Sequence, residues 1–229
     1  EIDDMEDINR HLCSIGSLGG GNHFIEVDRD GDDLWLLIHC GSRNFGQKIC
    51  NFHQKKADKA YNEKLSVLRA GNRDDRQSVE GLKLHPDFRY LEDAALDKYI
   101  EHMVVAQEFA ALNHQVIAHE ICSRMGWSVV ESIFTNHNYL EFLGKREMII
   151  RKGAVSAKKN EQLVIPLNMR DGTLICRGKG NSDWNFSAPH GAGRVLARSI
   201  AKKELALEEF QEVMKGVWTT SVCRGTLDE

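Results

Sequence analysis

Phe24-Ile25-Glu26-Val27-Asp28-Arg29-Asp30-Gly31-Asp32-Asp33-Leu34-Trp35-Leu36-Leu37-Ile38-His39 is the stretch whose reading decides the fold. Two apolar-rich runs flank a cluster of turn-forming residues at 29–33, which predicts a β-hairpin whose second strand is apolar enough to be buried on both faces. Asp28, Asp30, Asp32 and Asp33 read as solvated turn carboxylates, although a hard cation would also tolerate them. Working outward, residues 46–64 change to helical spacing, and 69–78 form a charged loop around Gly71. Residues 91–125 form the longest periodic segment, with Leu96, Ile100, Met103, Val104, Val116, Ile117 and Ile121 mostly three or four apart and Gly126 as a stop. That segment is one helix, or two joined near Asn113. Short strands are predicted at 129–134, 147–151, 162–165 and 173–177, and helix returns at 193–203 and 207–217. The chain therefore reads as α+β with one long helical segment.

A length of 229 residues suits one large domain, and no internal repeat or low-complexity linker divides it. Hydrophobic residues at 41% and charged residues at 28% exclude a disordered or collagen-like chain. No apolar run reaches the roughly 18–20 residues of a membrane span, so no membrane partner is expected. Six scattered cysteines form no Cys-x-x-Cys pair, which excludes a small zinc module and suits a reducing cytoplasm. The net charge of −4 hides a polarity along the chain. Residues 145–203 hold thirteen Lys/Arg against four Asp/Glu, a local excess of nine that suits phosphate chemistry.

Several constellations carry chemical potential. Gly19-Gly20-Gly21-Asn22-His23-Phe24-Ile25-Glu26 sets three glycines before a strand, where backbone amides can approach an anion or a metal-bound ligand; the spacing is wrong for a dinucleotide fingerprint. His39-Cys40-Gly41-Ser42-Arg43 lies where a buried strand runs out. Strand alternation turns His39 and Cys40 to opposite faces, which disfavours a Cys-His catalytic pair. Asn136-His137-Asn138-Tyr139 places a third histidine at a strand end, and three imidazoles in equivalent settings suit a divalent transition metal. His102, His114 and His119 on the long helix, and His11, His53 and His85 in polar surroundings, read as structural or solvated. Arg151-Lys152-Gly153-Ala154 puts two cations before a tight turn. Ser187-Ala188-Pro189-His190-Gly191-Ala192-Gly193-Arg194 opens a helix containing Arg194 and Arg198, where amides and guanidinium groups would hold phosphate beside a histidine able to accept a phosphoryl group; an ordinary glycine-rich helix start is the competing reading.

In this order, from about Ser17 to Thr220, these stretches resemble the RtcB family of RNA-splicing ligases. The resemblance implies a mixed β-sheet core with flanking helices forming a single catalytic core over 1–229. It implies an RNA ligase that joins 3′-phosphate or 2′,3′-cyclic phosphate ends to 5′-hydroxyl ends in tRNA splicing or RNA repair, using GTP and two manganese ions through a histidine–GMP intermediate. Carried over by residue, His190 is the guanylylated nucleophile, and His23, His39 and His137 are manganese ligands. Asn22, His23, Phe24, Ile25, Glu26, His137, Asn138, Pro166, Leu167, Asn168, Met169, His190, Gly191, Ala192 and Gly193 are nucleotide contacts.

The chain departs from the family pattern in places. A Pro-Gly-Ser-Met turn of the guanine site stands here as Pro166-Leu167-Asn168-Met169-Arg170-Asp171-Gly172, and the Asn-Arg pair of the long helix is Asn113-His114. The family's N-terminal aspartate and bridging cysteine, and its C-terminal lysine, have no counterpart. The expectation is therefore a fragment of a longer chain and, as it stands, a poor ligase. Two other readings compete: a metal-dependent phosphoesterase or nucleotidyltransferase using the same histidines, and a non-catalytic RNA-binding module built on the cationic stretch.

Overall fold

A computed structural model describes residues 8–70, 89–144 and 147–227. The chain divides into two compact units, one holding Glu1–Phe24 and Ile38–Gly126, the other Ile25–Leu37 and Trp127–Glu229.

The first unit is helical. A short α1 (Ile8–Leu12) precedes α2 (Arg43–Ala70) and the long α3 (Asp93–Met125), which runs without interruption through Asn113. Gly126 ends α3 in the left-handed region at φ 69°, where its N–H caps the last turn. Helices α2 and α3 pack antiparallel: Phe45 meets Phe109 with ring centres 5.0 Å apart, and His53 meets His102 further along. The buried stripe on α2 is Ile49, His53 and Ala57, a four-residue repeat that places all three on one face. The ends of the pair are tied by an ion pair between Lys64 and Glu92 and by Arg89 to Asp58 at 2.8 Å. The predicted loop at 69–78 begins inside α2, and from Gly71 onward it lies outside the described residues, as does His85.

Two histidines assigned to polar surroundings are buried instead. His11 is 4% exposed and set edge-on to Phe45, while His53 is 3% exposed between Phe52, Tyr99 and His102. Helical spacing, rather than local polarity, put both on apolar faces.

Among the described residues, strand pairing is spread over four two-stranded ladders. The predicted hairpin forms from β1 (Phe24–Asp30) and β2 (Asp33–His39), but β2 is only half-buried. Antiparallel pairs join β3 (Asn138–Phe142) to β4 (Met148–Lys152), β5 (Ala154–Ser156) to β8 (Ser187–Pro189), and β6 (Gln162–Asn168) to β7 (Gly172–Arg177). The core of the second unit is Val155, Ala157 and Leu163, flanked by Ile165, Cys176 and Ala188. Pro166 is accommodated where the β6–β7 register shifts, since a proline cannot donate to the ladder.

Residues 129–134 form no strand: Val129 and Val130 are 65% and 96% exposed, and the segment enters no ladder among the described residues. Helices α4 (Arg198–Glu204) and α5 (Leu207–Val213) begin later or end earlier than the spacing predicts. The segment from Gly193 to Ala197 is irregular, so His190-Gly191-Ala192-Gly193-Arg194 does not open a helix, and the expected helix-terminal phosphate cradle is not formed by these residues. The glycines that suggested a helix start serve a turn instead.

Candidate active site

In the first unit, the glycine-rich turn delivers His23 beside the end of β2. The His23 and His39 rings lie 6.0 Å apart between centres, and Phe24 meets His39 edge-on at 5.3 Å. With metal–nitrogen bonds of about 2.0–2.1 Å, two imidazoles sharing one ion have ring centres roughly 5–6.5 Å apart. The separation of this pair falls within that range. His23 Nδ1 stands 2.9 Å from the Leu18 carbonyl oxygen and 3.0 Å from the Arg43 guanidinium. A proton on Nδ1 donated to Leu18 leaves the Nε2 lone pair for a metal, while donation from Arg43 reverses the tautomer. Gly19 suits this turn because its φ of 88° strains other residues, and a Cβ there would push the Arg43 guanidinium aside.

Cys40 is buried and already engaged. Its thiol lies 3.4 Å from both the Ser17 and Leu18 carbonyls, and Asn113 donates to its sulfur at 2.8 Å. It serves structure, in keeping with the sequence argument against a Cys-His pair.

In the second unit, His137 precedes β3 rather than ending a strand, and its ring lies 4.8 Å from that of His190. Gly153, at φ 66° between β4 and β5, connects the two: its N–H donates to the His137 carbonyl at 2.7 Å, and its own carbonyl stands 2.7 Å from His190 Nδ1. With Nδ1–H donated to that carbonyl, Nε2 of His190 carries a lone pair. Burial, and then the neighbouring His190, hold the His137 imidazole below the usual histidine range, which favours its neutral form. The turn after His190 docks on the proline turn, since Ala192 N–H donates to the Pro166 carbonyl at 2.9 Å.

Glu26 accepts from the Thr173 hydroxyl at 2.7 Å, and Asp28 accepts from the Thr173 N–H at 3.0 Å. Asp28 is thus a strand residue with a partner, not a solvated turn carboxylate. Burial pushes Glu26 above the usual carboxylate range; the Thr173 bond opposes this and Asp28 adds to it. Of the other expected nucleotide contacts, Asn22, Ile25, Asn138, Asn168, Ala192 and Gly193 are exposed, and Leu167, Met169 and Gly191 half-buried. Asn168 folds the proline turn by accepting from the N–H groups of Arg170 and Asp171, both at 2.9 Å.

Sequence reading missed two organising residues. Arg151, 2% exposed, is a strut within the fold: it bonds Tyr139 at 2.9 Å, Ser187 at 3.0 Å, the backbone of Asn185 and Phe186, and Glu141, which Lys158 also pairs. The acidic-aromatic alternation Tyr139-x-Glu141 opposite it in the ladder was the available signal. Asn113 is the other. Among the described residues no group of three or more His, Cys, Asp or Glu is gathered to hold a metal; the histidines stand as the pairs His23–His39 and His137–His190.

Among the described residues no helix is long and apolar enough to cross a membrane. Residues 2–227 match the family described as tRNA-splicing ligase RtcB. The chain is 33% identical over 210 residues to the RNA-splicing ligase RtcB of Escherichia coli, covering 85% of this chain and 48% of that protein. It is similar also to the tRNA-splicing ligases RtcB of Aeropyrum pernix (26% identity, 94% of this chain and 52% of that one) and Methanococcus maripaludis (27%, 96% and 53%). The chain spans about half the length of these relatives. With a family match running nearly from end to end, and with the quoted motifs in order, this chain belongs to the RtcB family.

Proposed function

We propose that this chain forms a catalytic core for GTP- and manganese-dependent joining of RNA 3′-phosphate or 2′,3′-cyclic phosphate ends to 5′-hydroxyl ends, with His190 as the guanylylated nucleophile. The chain as a whole is read as that core, in the cytoplasm, where six free cysteines are at home. The observation that carries the reading is the Gly153 carbonyl at His190 Nδ1, which orients the ring and leaves Nε2 nucleophilic. In the first step the Nε2 lone pair forms a bond to the α-phosphorus of GTP as the bond to pyrophosphate breaks. An oxygen of the RNA 3′-phosphate then displaces His190, and the 5′-hydroxyl displaces GMP, losing its proton. His23, His39 and His137 would hold manganese, which when bound supplies charge neutralisation to the phosphates. The Asn22–Glu26 strand start, Asn138, the 166–169 turn and Gly191–Gly193 would contact the nucleotide. Exposed Lys152, Lys159, Arg177 and Lys179 suit an RNA backbone.

The test is incubation with α-labelled GTP and manganese, comparing the chain with His190→Ala. Acid-labile label on the parent and none on the variant is expected. Label retained by the variant would assign the nucleophile elsewhere, and phosphate release without covalent label would favour a phosphoesterase.

A further inference from the structure

Asn113 is the only fully enclosed polar side chain among the described residues at 0% exposure, and it sits in the middle of α3. All of its bonding capacity is spent on two distant segments. Its Oδ1 accepts from the N–H groups of Gly16 at 2.7 Å and Ser17 at 3.1 Å. Its two Nδ2 hydrogens are shared among the carbonyls of Ser17 and Gly41, each at 3.2 Å, and the Cys40 sulfur at 2.8 Å. An asparagine has two donors and two lone pairs, so no capacity is left over for a ligand.

Each segment leads directly to one histidine of the candidate metal pair. Ser17 is followed by Leu18, whose carbonyl meets His23 Nδ1, and Cys40 follows His39. The Cys40 thiol ties the segments to each other through the Ser17 and Leu18 carbonyls. Leu18 and Arg43 ask opposite things of His23 Nδ1: the carbonyl needs a proton there, the guanidinium supplies one. The position of the 16–18 backbone therefore decides which nitrogen is left for a metal.

We propose that Asn113 is a positioning residue for the His23–His39 pair, fixing the spacing of the two rings and the tautomer of His23 through the Ser17–Leu18 backbone. The inference rests on the reading of these histidines as metal ligands. Residues that orient metal-binding histidines typically change metal affinity by about 10–100-fold when removed.

The experiment uses the full 229-residue chain and two readouts. The first is the His23 tautomer in the metal-free protein, from side-chain 15N shifts at about pH 8; the second is manganese affinity, from the EPR signal of the free ion. Expected are an Nδ1–H tautomer in the parent, a shift toward Nε2–H in Asn113→Ala, and a loss of manganese affinity of about 10–100-fold. Asn113→Asp keeps both acceptor bonds to the loop amides, so it is expected to keep the tautomer and lose less affinity. A merely structural role would lower the melting temperature and leave both readouts at their parent values, which overturns the proposal. His23→Ala and His39→Ala separate the two ideas: if they bind manganese like the parent, the metal reading itself falls, whereas loss there with no change in Asn113→Ala removes only the positioning role.

Discussion

The imidazole of His190 is held at Nδ1 by the carbonyl oxygen of Gly153, 2.7 Å away, across a separation of 37 residues. Gly153 also has φ 66°, and a Cβ there would come within 3.3 Å of the ring. Gly153→Ala therefore costs backbone strain of about 1–2 kcal/mol and crowds the His190 ring. Guanylylation is expected to slow by roughly 100-fold, as for small misplacements of reacting groups, with the far-UV circular dichroism unchanged. A parent-like rate of label transfer would show that the ring is not held this way.

Removing Arg151 strands its partners. Arg151→Ala is expected to destabilise the chain by about 3–5 kcal/mol, measured by urea unfolding, because the Glu141 carboxylate and two backbone carbonyls lose a buried donor. Arg151→Lys cannot reach all of these acceptors and should recover only part of the loss. Near-parent stability for the alanine variant would make the network decorative.

Acid should loosen the α2–α3 pair. Burial, followed by nearby charge, holds both His53 and His102 below the usual histidine range, and their rings share a hydrogen bond of 3.0 Å. Lys56 and Lys98 face the pair, Glu101 partly offsets them, and Tyr99 packs on His53. The unfolded chain then binds protons more readily than the folded one, so stability is full above about pH 6.5 and falls as the pH drops through the folded values. The melting temperature should decline between about pH 7 and 5, and His53→Leu should flatten that slope. An unchanged slope in His53→Leu would place the acid sensitivity elsewhere.

Thr173→Val deletes the hydroxyl that Glu26 accepts from but leaves the amide bond to Asp28. The Glu26 titration midpoint, followed by 13C NMR, should move further up, because the lost bond favoured the ionised form. A net stability loss of about 1 kcal/mol is expected.

The sequence made the local elements legible. The hairpin around Gly31, the long helix with its glycine stop, and β6 with β7 follow from periodicity and turn residues, all short-range signals. The three-residue strands β5 and β8 were missed because nothing in Ala154-Val155-Ser156 names Ser187-Ala188-Pro189 as its partner. Residues 129–134 show the converse, strand-like composition that enters no ladder among the described residues. At the candidate site, glycines and histidines were visible as residue types, whereas Asn113 acts through burial and distant bonds that no spacing encodes, and Arg151 left only the faint Tyr139-x-Glu141 signal.

The β5–β8 ladder also bears on the order in which the chain assembles. β3 with β4, and β6 with β7, are closed by short connections, while the β5–β8 pair encloses the whole β6–β7 hairpin between Ser156 and Ser187. Closing the longer loop carries the larger entropy cost and is rewarded last. His190 follows directly on β8, so its bond to Gly153 and the β5–β8 ladder close the same long loop, and whatever loosens that ladder also releases the imidazole.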